Sequence, residues 1–185
     1  MKITKSKKKL NTPVIQMGFS TSFDTAKKME KFVRRNGQNW LGLAANQVGL
    51  QGRVICAKIG AEWIYFINPI LTNKSKETGF SLESCLSVPD KQIGVERHMS
   101  VTITAWNHFL SNTALPKPDS NYNYDKKRNE LELTGQDAFV VQHEIDHLDG
   151  ILMTDRKERG LKPILKLDLS DIVNKIKKGE KSENE

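Results

Sequence analysis

Gln142-His143-Glu144-Ile145-Asp146-His147 places two imidazoles four residues apart with a carboxylate between them. On a helix, residues at i and i+4 share a face with their Cβ atoms about 5–6 Å apart, which lets two ring nitrogens converge on one metal ion. Glu144 falls on the flank of that pair. It is too displaced to be a third ligand but can reach a water beside the metal, so the pattern encodes a general base next to a Lewis acid. A solvated helix with two histidines is the plain alternative. The helix is legible around the motif: Ala138, Val141, Ile145 and Leu148 form one stripe from Gly135 onward, and Gly150 closes it.

Upstream, the period changes from 3.6 to 2. Val54-Ile55-Cys56-Ala57 and Trp63-Ile64-Tyr65-Phe66-Ile67 read as strands turned at Gly60, a hairpin that feeds Asn68-Pro69. Ile93-Gly94-Val95 and Ser100 to Trp106 read as further strands, with Val101, Ile103 and Ala105 on a buried face. Residues 22–36 predict a first amphipathic helix behind Ser22 and Asp24, with Phe23, Ala26, Met29, Phe32 and Val33 at helical spacing and Gly37 ending it. Residues 111–129, with Pro116 and Pro118, read as a long surface loop or hairpin extension. A last helix is expected over 165–176, followed by a frayed end.

At 185 residues the chain is expected to hold one self-sufficient core. We divide it into a basic arm (1–20), a catalytic domain (21–160) and a C-terminal helix and tail of that same domain (161–185). No stretch approaches the roughly 18 apolar residues of a membrane span. Two cysteines, Cys56 and Cys85, suit a reducing compartment, and a cytoplasmic location is expected. The net charge of +7 is uneven, because residues 1–10 carry five lysines and no acid and leave only +2 for the remainder. Such an arm is expected to stay solvated, with attraction to nucleic acid or the ribosome as its functional reading.

Two histidines leave a catalytic metal site one protein ligand short if water is to keep the open position. His98 and His108 are the remaining histidines, and Glu158, Asp168 and Asp171 sit in no ligand motif. Cys85 in Glu83-Ser84-Cys85-Leu86-Ser87 is the better candidate. Its position alone equally suits a small buried hydrophobe, the reading that also fits Cys56.

Three separated segments together resemble the peptide deformylases. Gln142 to His147, continuing through Leu148-Asp149-Gly150, is similar to that family's histidine-glutamate-x-aspartate-histidine helix. Glu83 to Ser87, followed by Val88-Pro89, resembles its Glu-Gly-Cys-Leu-Ser segment. Trp40-Leu41-Gly42-Leu43-Ala44-Ala45-Asn46-Gln47 resembles its Gly-x-Gly-x-Ala-Ala-x-Gln segment. Asn68-Pro69 and Asp155-Arg156 match as well, and the resemblance runs in order from about residue 40 to 156. Trp40 and Ser84 stand where the family has glycine, which bears on the substrate cleft rather than on the reaction.

The resemblance implies an α+β fold, with mixed or antiparallel sheets around a central metal-binding helix and a helix near each terminus. It implies a hydrolase that removes the formyl group from N-formyl-methionyl nascent peptides and releases formate. Cys85, His143 and His147 would hold one divalent metal, Fe(2+) in the cell with Zn(2+), Ni(2+) or Co(2+) able to substitute. Glu144 would be the acid/base, and the Gln47 carboxamide with the backbone N–H of Leu86 would face the developing oxyanion. Leu41, Gly42, Ser84, Phe139 and Val140 are the expected substrate-binding residues. Asp146, paired with Arg97, is expected to support the ligands from behind. A monomer without membrane or specific nucleic-acid partners is expected. Two rival readings are a zinc metallopeptidase, which would need a third ligand downstream of the helix, and a degenerate, non-catalytic metal- or ribosome-binding module.

Overall fold

The computed structural model describes residues 1–109 and 128–156, without the side chains of residues 107–109. An antiparallel sheet of five strands has the order β1 (Gly42–Ala44), β2 (Val54–Ile59), β3 (Glu62–Lys74), β6 (Ser100–Phe109), β7 (Asn129–Thr134). Its β2–β3 hairpin turns at Gly60, whose φ of 57° lies in the left-handed region that suits glycine. The expected end of that hairpin at Asn68-Pro69 needs correction, since β3 continues to Lys74. A register shift against β6 between Ile67 and Ile70 accommodates the extra residue. Asn68 takes φ 50° there and donates its N–H to Arg53 O, so the missing N–H of Pro69 falls in a bulge instead of interrupting a regular ladder.

A second sheet is the hairpin β4 (Thr78–Cys85) and β5 (Val88–His98). Only Ile93 to Val95 of it is legible in the sequence as a strand. Side chains alternate along β4: Ser81, Glu83 and Cys85 are buried while Phe80, Leu82 and Ser84 face outward. Exposed apolar residues mixed with buried polar ones inverted the usual alternation, and this hid the strand.

The central helix α3 (Gly135–Leu148) packs Ala138, Val141, Ile145 and Leu148 into the core formed by Ile55, Phe66, Val101 and Ile103 of the larger sheet. Its other flank carries His143 and Glu144. Gly150, at φ 71°, reverses the chain just past the helix. Helix α2 (Phe19–Asn36) covers the opposite face with Phe23, Ala26, Met29 and Val33. It begins one turn before the expected Ser22, which is itself buried, and it ends as expected at Gly37. Antiparallel sheets and a central helix thus form the α+β fold that the sequence implied.

The basic arm is docked, which corrects the expectation of a solvated one. Its short helix α1 (Lys7–Leu10) buries Leu10 completely while Lys7, Lys8 and Lys9 stay in water. Thr4 N–H donates to Gln47 O, Val14 N–H to Leu148 O, and Asn11 Nδ2 to Gly150 O and Asp155 Oδ2. Backbone N–H groups and the Asn11 side chain pin the arm while the lysines remain free to carry charge. Short helix α4 (Met153–Arg156) closes the described chain. The expected helix over 165–176 and most of the expected 111–129 loop lie outside the described residues; Asn129 already belongs to β7. Among the described residues no helix is long and apolar enough to cross a membrane.

Candidate metal centre

Three distant segments meet at the buried flank of α3. Helical spacing brings His143 and His147 together, with ring centroids 4.9 Å apart. Cys85 is the last residue of β4, where the strand turns through Leu86 and Ser87 into β5, and its Sγ lies 3.2 Å from His147 Nε2. One donor atom from each of Cys85, His143 and His147 lies within 4.8 Å of the others, and all three residues are buried. One thiol and two imidazoles at this spacing fit a tetrahedral divalent metal that keeps its fourth position open. Glu144 stands outside the donor set.

Behind His143 lies a chain of charge. His143 Nδ1 is 2.7 Å from Glu83 Oε2, which leaves the other edge of the ring for Cys85. Arg97 donates from Nε and Nη2 to the two Glu83 oxygens at 2.7 and 2.9 Å, and from Nη1 to Asp146; Arg156 also binds Asp146. A carboxylate that accepts from a ligating histidine fixes the ring's orientation, the usual support of a metal centre. The expected pairing of Asp146 with Arg97 is therefore present, but Arg97 also spans to Glu83, a residue the sequence reading passed over. Its signal was available, since Glu83 lies two residues before Cys85 on the same face of one strand.

These contacts set the titration of the site. Burial by itself would raise the Glu83 carboxyl, yet hydrogen bonds from His143 and Arg97 hold it down at about 2. Burial would likewise depress His143, but Cys85 and Glu83 carry it up to about 10. His147 is lowered to about 3 by burial and then by the neighbouring His143, so its imidazole is neutral and its lone pair available. Burial lifts Glu144 to about 7 against the pull of His143, which puts its proton affinity near that of a neutral solution. Its Oε2 is buried without a hydrogen-bond partner among the described residues. Cys56, by contrast, is a core thiol that burial pushes well upward.

Gln47, in the short 3-10 helix Ala45–Val48, is held from both ends. Ala44 N–H donates to its Oε1 at 2.8 Å, which turns Nε2 toward Ser87 Oγ at 3.4 Å and Cys85 Sγ at 3.6 Å. Neighbouring Asn46 donates to His147 O at 2.6 Å and ties this turn to the end of α3. A cavity of about 450 Å³ opens over the centre. All of the expected substrate-binding residues line it (Leu41, Gly42, Ser84, Phe139 and Val140), as do Leu86 and Gln47. Trp40 joins them, packed against Phe32 of α2 at 5.7 Å between ring centroids. Gly42 is required by close approach, because a Cβ there would lie 2.4 Å from Glu144 Oε1.

An α+β domain with a buried thiol-bis-imidazole donor set, a buried carboxylate beside it and an open cleft above defines a metal-dependent hydrolase. The model of the family described as polypeptide deformylase matches residues 3–115 and 120–162. The chain is 40% identical over 119 residues to a peptide deformylase of Natranaerobius thermophilus, covering 64% of this chain and 66% of that protein. It is 32% identical over 159 residues to a peptide deformylase of Thermotoga neapolitana, covering 83% and 85%. The crystal structure of a probable peptide deformylase from Synechococcus phage S-SSM7 superposes with a TM-score of 0.67 at 31% identity, over 84% of this chain and 99% of that one. The chain belongs to the polypeptide deformylase family.

Proposed function

We propose that this chain hydrolyses the formyl amide at the N-terminus of formyl-methionyl nascent peptides, with Cys85, His143 and His147 as the metal ligands. The observation that carries the reading is the convergence of those three donors beneath a cleft that also presents Glu144 and Gln47. A divalent metal held there supplies a Lewis acid and lowers the pKa of water toward neutrality. Glu144 takes the proton of the attacking water and delivers it to the amine as the carbon–nitrogen bond breaks, leaving formate and a free N-terminus. Gln47 Nε2 and the Leu86 N–H donate to the formyl oxygen as it gains charge. Phe139 and Val140 receive the methionine side chain, while Leu41, Gly42 and Ser84 line the path of the peptide. Arg97 and Asp146 act through Glu83 and hold His143 in place.

Ferrous iron is the metal we assign in the cell; one thiolate with two imidazoles also accepts zinc, nickel or cobalt, so metal availability rather than raw affinity selects iron. Two free, buried cysteines support a reducing cytoplasm. The exposed lysines of the docked arm support an electrostatic approach to the ribosome by a monomeric enzyme.

Glu144→Gln tests the mechanism. Metal content should persist while formate release from a short formyl-methionyl peptide, assayed anaerobically with iron or nickel, collapses. An unchanged rate sinks the role of Glu144. Cleavage of the backbone of an unformylated peptide would instead identify a peptidase.

A further inference from the structure

The short 3-10 helix that carries Gln47 is too small to hold itself, since four residues close few bonds and the carbonyls at its end lack helical partners. The amino-terminal arm holds it from outside: Thr4 N–H donates to Gln47 O at 2.7 Å, and Ile3 packs against the apolar cluster that contains Ala45 and Val48. Thr4 Oγ1 accepts from Ser6 N–H, and Ser6 O accepts from the N–H groups of Lys9 and Leu10, so the chain passes from Thr4 directly into α1. Buried Leu10 leads on to Asn11 and Val14, which bind Gly150 O and Leu148 O at the far end of α3. A Cβ on Gly150 would lie 2.9 Å from the Asn11 carbonyl, so the two segments meet in close contact. The arm thereby bridges the same two elements that the bond from Asn46 to His147 O joins: the Gln47 turn and the end of α3.

Resting on the deformylase reading, we propose that Thr4 is a positioning residue: its backbone N–H, anchored through α1 to the end of α3, holds the Gln47 turn so that the carboxamide donates to the formyl oxygen. Gln47 is almost fully buried, with its backbone carbonyl on the Thr4 N–H and its Oε1 on the Ala44 N–H, so the amide nitrogen is the part left for the cleft. Without the arm's bond the turn is free to shift, and a displaced donor stabilises the developing charge less well. Thr4 does not line the catalytic cavity, so its effect falls on kcat and not on KM.

The test combines Thr4→Pro, which removes the N–H, with Gln47→Ala in a double-mutant cycle on a short formyl-methionyl peptide. Thr4→Pro alone should lower kcat by roughly tenfold, a part of what losing an oxyanion donor costs, with KM and bound metal unchanged. In the Gln47→Ala background the same substitution should cost nothing further, because groups that act through one another are not additive. Deletion of residues 2–5 removes the same donor without a proline and should behave alike. Hydrogen exchange of the zinc-loaded protein reads the turn without turnover. The Ala44 amide, bonded to Gln47 Oε1, should exchange faster in both variants, while the Val14 amide, bonded to Leu148 O, keeps its protection. An unchanged kcat, a loss that adds to that of Gln47→Ala, an unchanged Ala44 amide, or loss of protection at both amides overturns the proposal. If the wild-type protein hydrolyses no formyl peptide, the deformylase reading falls, and exchange at Ala44 still decides whether Thr4 holds the turn.

Discussion

Glu83 Oε2 lies 2.7 Å from His143 Nδ1, and the same carboxylate takes two hydrogen bonds from Arg97. One residue of β4 thus orients an imidazole of α3, and Cys85, two residues further along the same strand face, faces the other edge of that ring. Glu83→Gln keeps the shape but removes the charge that the His143 ring and Arg97 share. Metal affinity measured by chelator competition should fall by about 10–100-fold, the usual consequence of losing such a partner. Unchanged affinity would mean that α3 alone fixes the ring.

Arg97 is the next link, with its side chain 1% exposed between Glu83 and Asp146. Replacing it with methionine leaves two buried carboxylates facing each other without their common cation. Breaking a buried pair in this way costs roughly 3–5 kcal/mol. A urea titration of the metal-loaded protein should show the midpoint falling accordingly. Retained stability would mean that Arg156, which also binds Asp146, suffices to compensate the acids.

Gly42→Ala is expected to act on Glu144, the proposed acid/base residue, without touching the proposed metal ligands. The added carbon would meet Glu144 Oε1 at 2.4 Å and Cγ at 2.7 Å, distances that force the carboxylate aside. Formate release should drop while bound metal per chain stays constant. If kcat is preserved, Glu144 has room to move, and its position is less critical than the close approach implies.

Much of this centre was legible because α3 carries a short-range code. The i, i+4 spacing of His143 and His147 and the stripe through Ala138, Val141, Ile145 and Leu148 depend only on the helical period. The β2–β3 hairpin was readable for a similar reason, through β-rich runs around Gly60. What escaped depends on contacts between segments distant in sequence. Glu83 is buried because Arg97 and His143 surround it, and its one local signal, a place two residues before Cys85 on the same strand face, does not by itself announce a buried acid. The run of β3 past Pro69 needed the bulge at Asn68, and the docking of residues 3–14 needed the far end of α3 as its partner. Cys85 became more than a small buried hydrophobe only when the three segments were read together.

Gln47 gives the sharpest test of how charge on the substrate is stabilised. Its Oε1 is fixed by the Ala44 N–H at 2.8 Å, so its amide nitrogen faces the cleft in a single orientation, and the residue is almost fully buried. Preorganised donors of this kind matter only as charge develops on the oxygen, which predicts a loss in kcat with little change in KM. Gln47→Ala should reduce kcat by roughly 10²–10³. Gln47→Glu retains the bulk but brings an acceptor and a negative charge toward that oxygen, so its loss should be at least as large. Loss confined to KM in both variants would move Gln47 from transition-state stabilisation to substrate binding. Asn46→Ala separates orientation from donation: it cuts the 2.6 Å tie between this turn and His147 O while leaving the Gln47 amide in place. A smaller fall in kcat than for Gln47→Ala, with metal retained, is the expected result, because the turn would be loosened and the donor kept.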